Sequence, residues 1–186
     1  TISGLTSALF ANLQQAEVFN LRLTEVNIDT TINDRGGAAK GILTAVINGG
    51  SASNITLEGN LSVTVTAGAS NDIGALAGRA FETEISTITN LAIINVNTDR
   101  IVDVGGIVGS SSNSQIAYSS NYGPVNVAVG EVSSTYSYRA GGIVGAISAV
   151  NSSTNSISYS YNATSVLAGY VDTAGTSDDS EEHSAL

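Results

Sequence analysis

The pentapeptide Gly-Gly-Ile-Val-Gly occurs at residues 105–109 and returns unchanged at 141–145. Degenerate copies lie upstream, each centred on an aliphatic residue. The central aliphatic residues of all the copies are Leu9, Ile42, Leu76, Ile107 and Ile143. They are separated by 33, 34, 31 and 36 residues. A nearly constant period of this size is typical of repeat architectures, in which each unit stacks on the next.

Between the markers, apolar and small polar residues alternate, most clearly in Leu61-Ser-Val63-Thr-Val65. Alternation with period two and many β-branched residues predict extended strands with one inward face. Each repeat has room for about three short strands, which cannot enclose a core without the neighbouring repeats. We therefore predict an all-β fold, a right-handed parallel β-solenoid (β-helix) of about five coils. The competing architecture is a β-propeller, but its blades normally need four strands and roughly 40–50 residues.

The predicted solenoid spans residues 1–175. Its repeats cover residues 1–35, 38–72, 73–103, 104–139 and 140–175. Within the first repeat, residues 11–17 are also compatible with a helical turn. Residues 176–186 are acidic and form either a solvated linker or a short helix that caps the last coil.

The glycines of the pentapeptide have a physical role in such a fold. Gly105, Gly106 and Gly109 permit a tight corner or the close approach of a neighbouring backbone, while Ile107 and Val108 supply core volume. The second copy predicts the same roles for Gly141, Gly142, Ile143, Val144 and Gly145.

The charge and composition of the chain exclude several classes of function. The formal net charge is −10, which repels phosphate backbones, so nucleic acid is not expected as a partner. The chain has no cysteine, which excludes disulfides and thiolate chemistry. No apolar run is long enough to span a bilayer. The chain begins without an initiator methionine or a signal peptide, and we interpret it as a mature or excised segment.

Each pentapeptide is followed by an Ile-x-Tyr-Ser-x-Asn segment and then by a valine-containing strand. The first such segment is Ile116-Ala-Tyr118-Ser119-Ser-Asn121, and the second is Ile157-Ser-Tyr159-Ser160-Tyr-Asn162. This combination resembles the GLUG motif of large bacterial surface proteins, which include adhesins and non-catalytic regions of immunoglobulin A-specific metallopeptidases. The resemblance is direct over the fourth and fifth repeats. It implies an extracellular β-solenoid with a scaffold or adhesive role, and it implies no catalytic residue.

Candidates for catalysis are few. His183 is the only histidine, so the chain has no His-Glu-x-x-His zinc motif, and a Ser-His-Asp triad would have to use this residue. Paired carboxylates could support glycoside hydrolysis on a β-helix. The candidate pairs are Asp99 with Asp103, Glu82 with Glu84, and Asp29 with Asp34. Glu82 and Glu84 have the spacing of one exposed strand face, which is also ordinary surface patterning.

Calcium is the one cofactor that the sequence leaves open. Asp34, Asp72 and Asp103 each precede a core marker, so stacking would bring their loops together, with Asp99 close by. Carboxylate and carbonyl oxygens would then form a Ca²⁺ site. The alternative is simple turn chemistry, since aspartate favours turns in any case.

Two further sets of residues indicate surface roles. Tyr118 and Tyr159 occupy equivalent repeat positions, so they are expected on one face, either as a stabilising stack or as a contact patch for a protein or glycan. Sequons for N-glycosylation occur at Asn54, Asn60, Asn151 and Asn162.

Together these observations predict a non-enzymatic, extracellular structural or adhesion module that presents a rigid repeat surface. One alternative is a surface filament subunit that binds copies of itself end to end, because an open coil end exposes unpaired backbone. The other alternative is a β-helical carbohydrate-active enzyme or glycan-binding module.

Overall fold

The computed structural model describes residues 1–130, 137–148 and 154–170. These residues form strands and turns, with no helix among them. In chain order the strands are β1 (Ile2–Ser3), β2 (Phe10–Ile32), β3 (Ala39–Lys40), β4 (Thr44–Val65), β5 (Asn71–Gly74), β6 (Ala77–Phe81), β7 (Glu84–Asn90), β8 (Ile93–Thr98), β9 (Val102–Gly105), β10 (Val108–Ser112), β11 (Gln115–Ala117), β12 (Ser120–Asn121), β13 (Val125–Val129), β14 (Tyr138–Gly141), β15 (Val144–Ser148), β16 (Ser156–Ser158), β17 (Tyr161–Asn162) and β18 (Val166–Tyr170).

The strands pair in parallel between successive repeats. A large sheet of 14 strands follows most of the circumference, and a second sheet contains β3, β5, β9 and β14 in adjacent positions. The chain is therefore a parallel β-solenoid, as predicted. Four turns contribute a strand to each sheet, against the five coils expected. The difference lies in the first repeat, where β2 adds a layer to the large sheet but has no described counterpart in the second.

The third coil contains four strands, β5 to β8, where about three were expected. The helical alternative for residues 11–17 is wrong, because β2 runs through this segment and pairs with β4. Extended chain can turn here because single residues at the corners adopt a left-handed conformation, so no helical turn is needed.

One set of corners lies at equivalent positions in all the layers. The left-handed residues are Asn20, Asn54, Thr87, Tyr118 and Tyr159, with φ between 49° and 56°. Asparagine tolerates this conformation, whereas threonine and tyrosine adopt it at a cost of about 1–2 kcal/mol. Contacts between neighbouring corners support two of these pairs, since Tyr118 stacks on Tyr159 and Asn54 donates a hydrogen bond to Asn20.

The pentapeptide column lies at the junction of the two sheets. Val108 pairs with both Ala77 and Val144, so the residues that precede them, Ile107, Leu76 and Ile143, are level. In the second coil the residue predicted for this column, Ile42, is wrong by one position. Thr44 pairs with Ala77, which places Leu43, and not Ile42, level with Leu76. Ile42 and Leu43 are both fully buried, so burial alone does not distinguish them.

The last glycine of each pentapeptide allows two strands to touch face to face. Each coil folds over itself as an arch, with β5 and β6 as the two arms in the third coil and β9 and β10 in the fourth. A Cβ added at Gly109 would lie 2.4 Å from the backbone nitrogen of Ile73 and 2.7 Å from the carbonyl oxygen of Gly78. No side chain fits in that space, which explains the recurrence of glycine.

The Tyr-Ser-x-Asn part of the repeat forms side-chain hydrogen bonds between neighbouring coils. The hydroxyl of Ser119 accepts a hydrogen bond from the Ile88 backbone N–H of the coil below, at 3.2 Å. The Asn121 carboxamide accepts one from Asn90 at 2.7 Å and donates one to Asn162 at 2.8 Å. Asn90 and Asn121 are fully buried, so this amide ladder satisfies polar groups that would otherwise destabilise the core.

The predicted repeat boundaries after residues 72, 103 and 139 all fall inside strands of the second sheet, namely β5, β9 and β14. Register pairs Asp72 with Asp103 and Asp103 with Arg139, so these boundaries mark the same point of three successive coils. Within the described ranges, no helix has the length and apolar character needed to cross a bilayer.

Candidate functional site

The structure brings together Tyr118 and Tyr159, the two tyrosines at equivalent repeat positions. Their rings stack with centroids 5.0 Å apart and planes 4° from parallel. Both occupy left-handed corners, which direct their side chains away from the core, and they are 62% and 78% exposed. The pair is therefore a rigid aromatic surface that remains available for contact.

A second pair, Tyr122 and Tyr161, extends this surface. The rings meet edge to face at 5.7 Å, and the two hydroxyls are hydrogen-bonded to each other. This hydrogen bond raises the pKa of Tyr122 above its ordinary value. Repeat equivalence does not predict this pair, because Tyr161 is in register with Ser120 and not with Tyr122. We call the four side chains the tyrosine face.

Two of the predicted calcium ligands are adjacent. Asp72 and Asp103 are register partners in β5 and β9, and both are buried. Each carboxylate is bound by an arginine. Arg79 donates to Asp72, while Arg139 binds Asp103 through two hydrogen bonds of 2.6 and 2.8 Å. The repulsion between stacked carboxylates is thus relieved by guanidinium groups.

Burial shifts the pKa of Asp72. Loss of water raises its pKa from 3.8 to about 6, and the neighbouring Asp103 adds to the rise, while Arg79 opposes it. The bidentate pairing with Asp103 raises the pKa of Arg139, which stays charged. The cluster therefore contains one carboxyl group with a pKa of about 6.

The other two predicted calcium ligands lie elsewhere. Asp34 caps a turn by accepting a hydrogen bond of 2.9 Å from the Gly36 N–H, and Asp99 lies 3.5 Å from the Arg100 guanidinium. Ala39, not Asp34, is level with Asp72, so the expected column of three aspartates does not form. No group of three possible His, Cys, Asp or Glu ligands occurs in the described part of the chain. Calcium binding stays a prediction.

The carboxylate pairs considered for catalysis are not arranged as expected. Glu82 is a left-handed corner residue that precedes β7, whereas Glu84 begins this strand, so the two do not share one strand face. Asp103 is already held by Arg139, and Asp99 follows the end of β8. Asp29 lies within β2, while Asp34 lies beyond it.

Three of the four sequons lie in the described chain. Asn54 is an exposed corner residue that donates to Asn20 at 2.6 Å. Asn60 accepts a hydrogen bond from Asn95 at 3.0 Å, and Asn162 belongs to the amide ladder described above. An N-glycan attaches at Nδ2, the atom through which Asn54 donates its inter-coil hydrogen bond, whereas Asn60 takes part in its inter-coil bond only through Oδ1. Asn151, like the tail at 176–186 with His183, lies outside the described residues.

Comparison with family models, with curated proteins and with solved structures finds no match to this chain.

Proposed function

We propose that this chain is a non-enzymatic, extracellular structural and adhesion module. Its rigid solenoid presents the tyrosine face to a protein or glycan surface. The proposal depends on one observation above all, the fixed clustering of four tyrosine side chains that are each at least 43% exposed. The resemblance to the GLUG motif of surface proteins supports the extracellular setting.

The physical argument concerns the entropy lost on binding. Tyrosine offers a large contact area with few rotatable bonds, and contact surfaces are enriched in it for this reason. Here Tyr118 and Tyr159 are already stacked and their backbones are held by inter-coil hydrogen bonds, such as Tyr118 N–H to the Ser158 carbonyl at 3.1 Å. Little further order is needed when a partner binds.

The absence of catalysis is part of the proposal. The two adjacent buried carboxylates, Asp72 and Asp103, are each engaged by an arginine, which favours a structural or ligand-binding role over proton transfer to a substrate. Incubation with a broad glycan panel should yield no cleavage products. If the chain depolymerises a glycan and Asp103→Asn abolishes this activity, the non-enzymatic role is excluded and the carbohydrate-active enzyme is favoured.

The adhesive role can be tested with protein and glycan arrays probed by the purified chain. The double variant Tyr118→Ala/Tyr159→Ala should bind the selected partner at least tenfold more weakly, which corresponds to about 1.4 kcal/mol. The matched control is Phe19→Ala, which removes an aromatic ring that is 61% exposed in β2. It should bind like the unmodified chain.

Equal loss in both variants would point to general surface hydrophobicity, and unchanged binding in the double variant would exclude the tyrosine face. Failure of the unmodified chain to bind any array would also contradict the proposal. A protein partner and a glycan partner are distinguished by which array gives the signal.

A further inference from the structure

A polar groove opens where the two arms of the arch diverge. Beyond the point where the glycines hold the arms together, a cavity of about 260 Å³ lies between the second sheet and strands β6, β10 and β15. Its lining includes Asp72, Arg79, Phe81, Asp103, Ser112 and Arg139. The tyrosine face lies in β17 and in the turns next to β11, β12 and β16, so the groove is a separate surface of the coil.

Ser112 is the unexplained residue of this groove. Its side chain is only 3% exposed, yet its hydroxyl has no hydrogen-bond partner among the residues that the structure describes. A buried hydroxyl left unpaired costs about 1–3 kcal/mol. Register places Ser112 between Phe81 and Ser148, and alanine occurs at several neighbouring positions of these strands, so packing alone does not require a hydroxyl here. A bound ligand would supply the missing partner.

The remaining groups define the chemistry of that ligand. The buried carboxylates and their guanidinium partners provide acceptors and donors in fixed positions, which suits vicinal hydroxyl groups. Phe81 is 41% exposed at the edge of the groove and offers an apolar surface for the C–H face of a ring. The volume is just below the roughly 300 Å³ at which pockets for larger ligands begin. One ring with several hydroxyls fits this description.

Charge decides between neutral and acidic ligands. Asp72 and Asp103 together balance Arg79 and Arg139, so the groove carries no excess positive charge. The chain as a whole has a formal net charge of −10, which repels anions. We propose that the groove formed by Asp72, Phe81, Asp103, Ser112 and the two arginines binds one neutral sugar unit, free or within a glycan.

The test is a binding titration of the full chain, monitored by NMR chemical shifts. The ligands are the neutral monosaccharides glucose, galactose, mannose and N-acetylglucosamine, and the acidic sugar glucuronate. At least one neutral sugar should bind with a Kd in the millimolar range, and glucuronate should bind at least tenfold more weakly. Ser112→Ala should weaken the neutral sugar at least fivefold. Its melting temperature should not fall, because the substitution removes no side-chain hydrogen bond of the described fold.

Two further variants make the result specific. Phe81→Ala should also weaken the sugar. The matched control is Ser86→Ala, which makes the same change in a half-buried serine of β7 outside the groove. It should leave sugar binding unchanged, and alanine fits this position because the register partner of Ser86 in the fourth coil is Ala117. Absence of binding by every neutral sugar, unchanged affinity in Ser112→Ala, or equal affinity for glucuronate would each overturn the proposal.

The proposal does not depend on adhesion through tyrosine. Tyr118→Ala/Tyr159→Ala should leave sugar binding in the groove unchanged, and Ser112→Ala should leave binding by the tyrosine face unchanged. Failure of one set of results therefore leaves the other intact.

Discussion

Replacement of Gly109 by alanine tests how the arch is built. The added methyl group would meet the Ile73 nitrogen at 2.4 Å, the Gly78 oxygen at 2.7 Å and the Asp72 carbonyl carbon at 2.8 Å. All three are backbone atoms of strands that are paired on both sides, so none can move as a flexible side chain would. The two arms must separate by about 1 Å to restore normal van der Waals contact.

The expected cost follows from the position of these atoms. Overpacking in a well-ordered interior costs about 1–3 kcal/mol, and here separation of the arms would also weaken the hydrogen bonds of β9 and β10. We expect the free energy of unfolding to fall by about 3 kcal/mol or more. For a chain of this size the melting temperature should fall by about 6–12 °C.

Gly130 is the matched control in the same coil. A methyl group added there would lie 3.8 Å from the nearest atom, the Thr98 oxygen, which is ordinary contact. Gly130→Ala should be neutral or raise stability by up to about 1 kcal/mol, because alanine restricts the unfolded chain. Urea unfolding followed by circular dichroism measures both variants. Equal stability of the two would refute the close approach of the arms.

Three other predictions concern stability. Asn121→Ala removes the centre of the buried amide ladder and should lower the free energy of unfolding in urea by about 1–3 kcal/mol. Asn126→Ala, at the end of a half-buried ladder, should lower it by less than about 1 kcal/mol. Equal losses in the two variants would contradict a stabilising role of the buried ladder. Ile107→Ala should cost about 2–5 kcal/mol and Ile143→Ala less, since Ile143 is only partly buried, and the reverse order would contradict the assigned core. The raised pKa of Asp72 stabilises the fold below about pH 4, and this contribution is lost as the pH rises through about 6. Between pH 3 and 8 the unmodified chain should therefore lose about 3 kcal/mol relative to Asp72→Asn, and parallel pH profiles would contradict the burial of this carboxyl group.

The pentapeptide and its spacing were sufficient to predict the fold class, because glycine and aliphatic residues recur where the backbone geometry demands them. Leu76, Ile107 and Ile143 fell in one column for that reason. Ile42 did not, since the second coil offers two adjacent buried aliphatic residues and the sequence contains no feature that selects Leu43. Which of two adjacent buried residues joins the column depends on the register between coils, and a single sequence does not specify that register.

The candidate sites were less predictable. Tyr118 and Tyr159 were found through repeat equivalence, but the contact of Tyr122 with Tyr161 joins different repeat positions. The pairing of Asp72 with Arg79 depends on the arch, which brings a residue of β6 back over β5. The sequence contains no feature that singles out Ser112, because this serine differs from the many others only in that its hydroxyl lacks a partner within the described chain.

The parallel, in-register stack is most directly tested by pulsed EPR between spin labels on cysteines introduced at Phe19 and Ser158. The chain has no cysteine of its own, so labelling is specific. Register connects the two positions through Ser53, Ser86 and Ala117, which makes four steps between adjacent strands. At about 4.8 Å per step the backbones should lie about 19 Å apart, and about 14 Å apart for the pair at Phe19 and Ala117. A separation above about 35 Å for the longer pair, or no increase from the shorter pair to the longer one, would contradict the stacked coil.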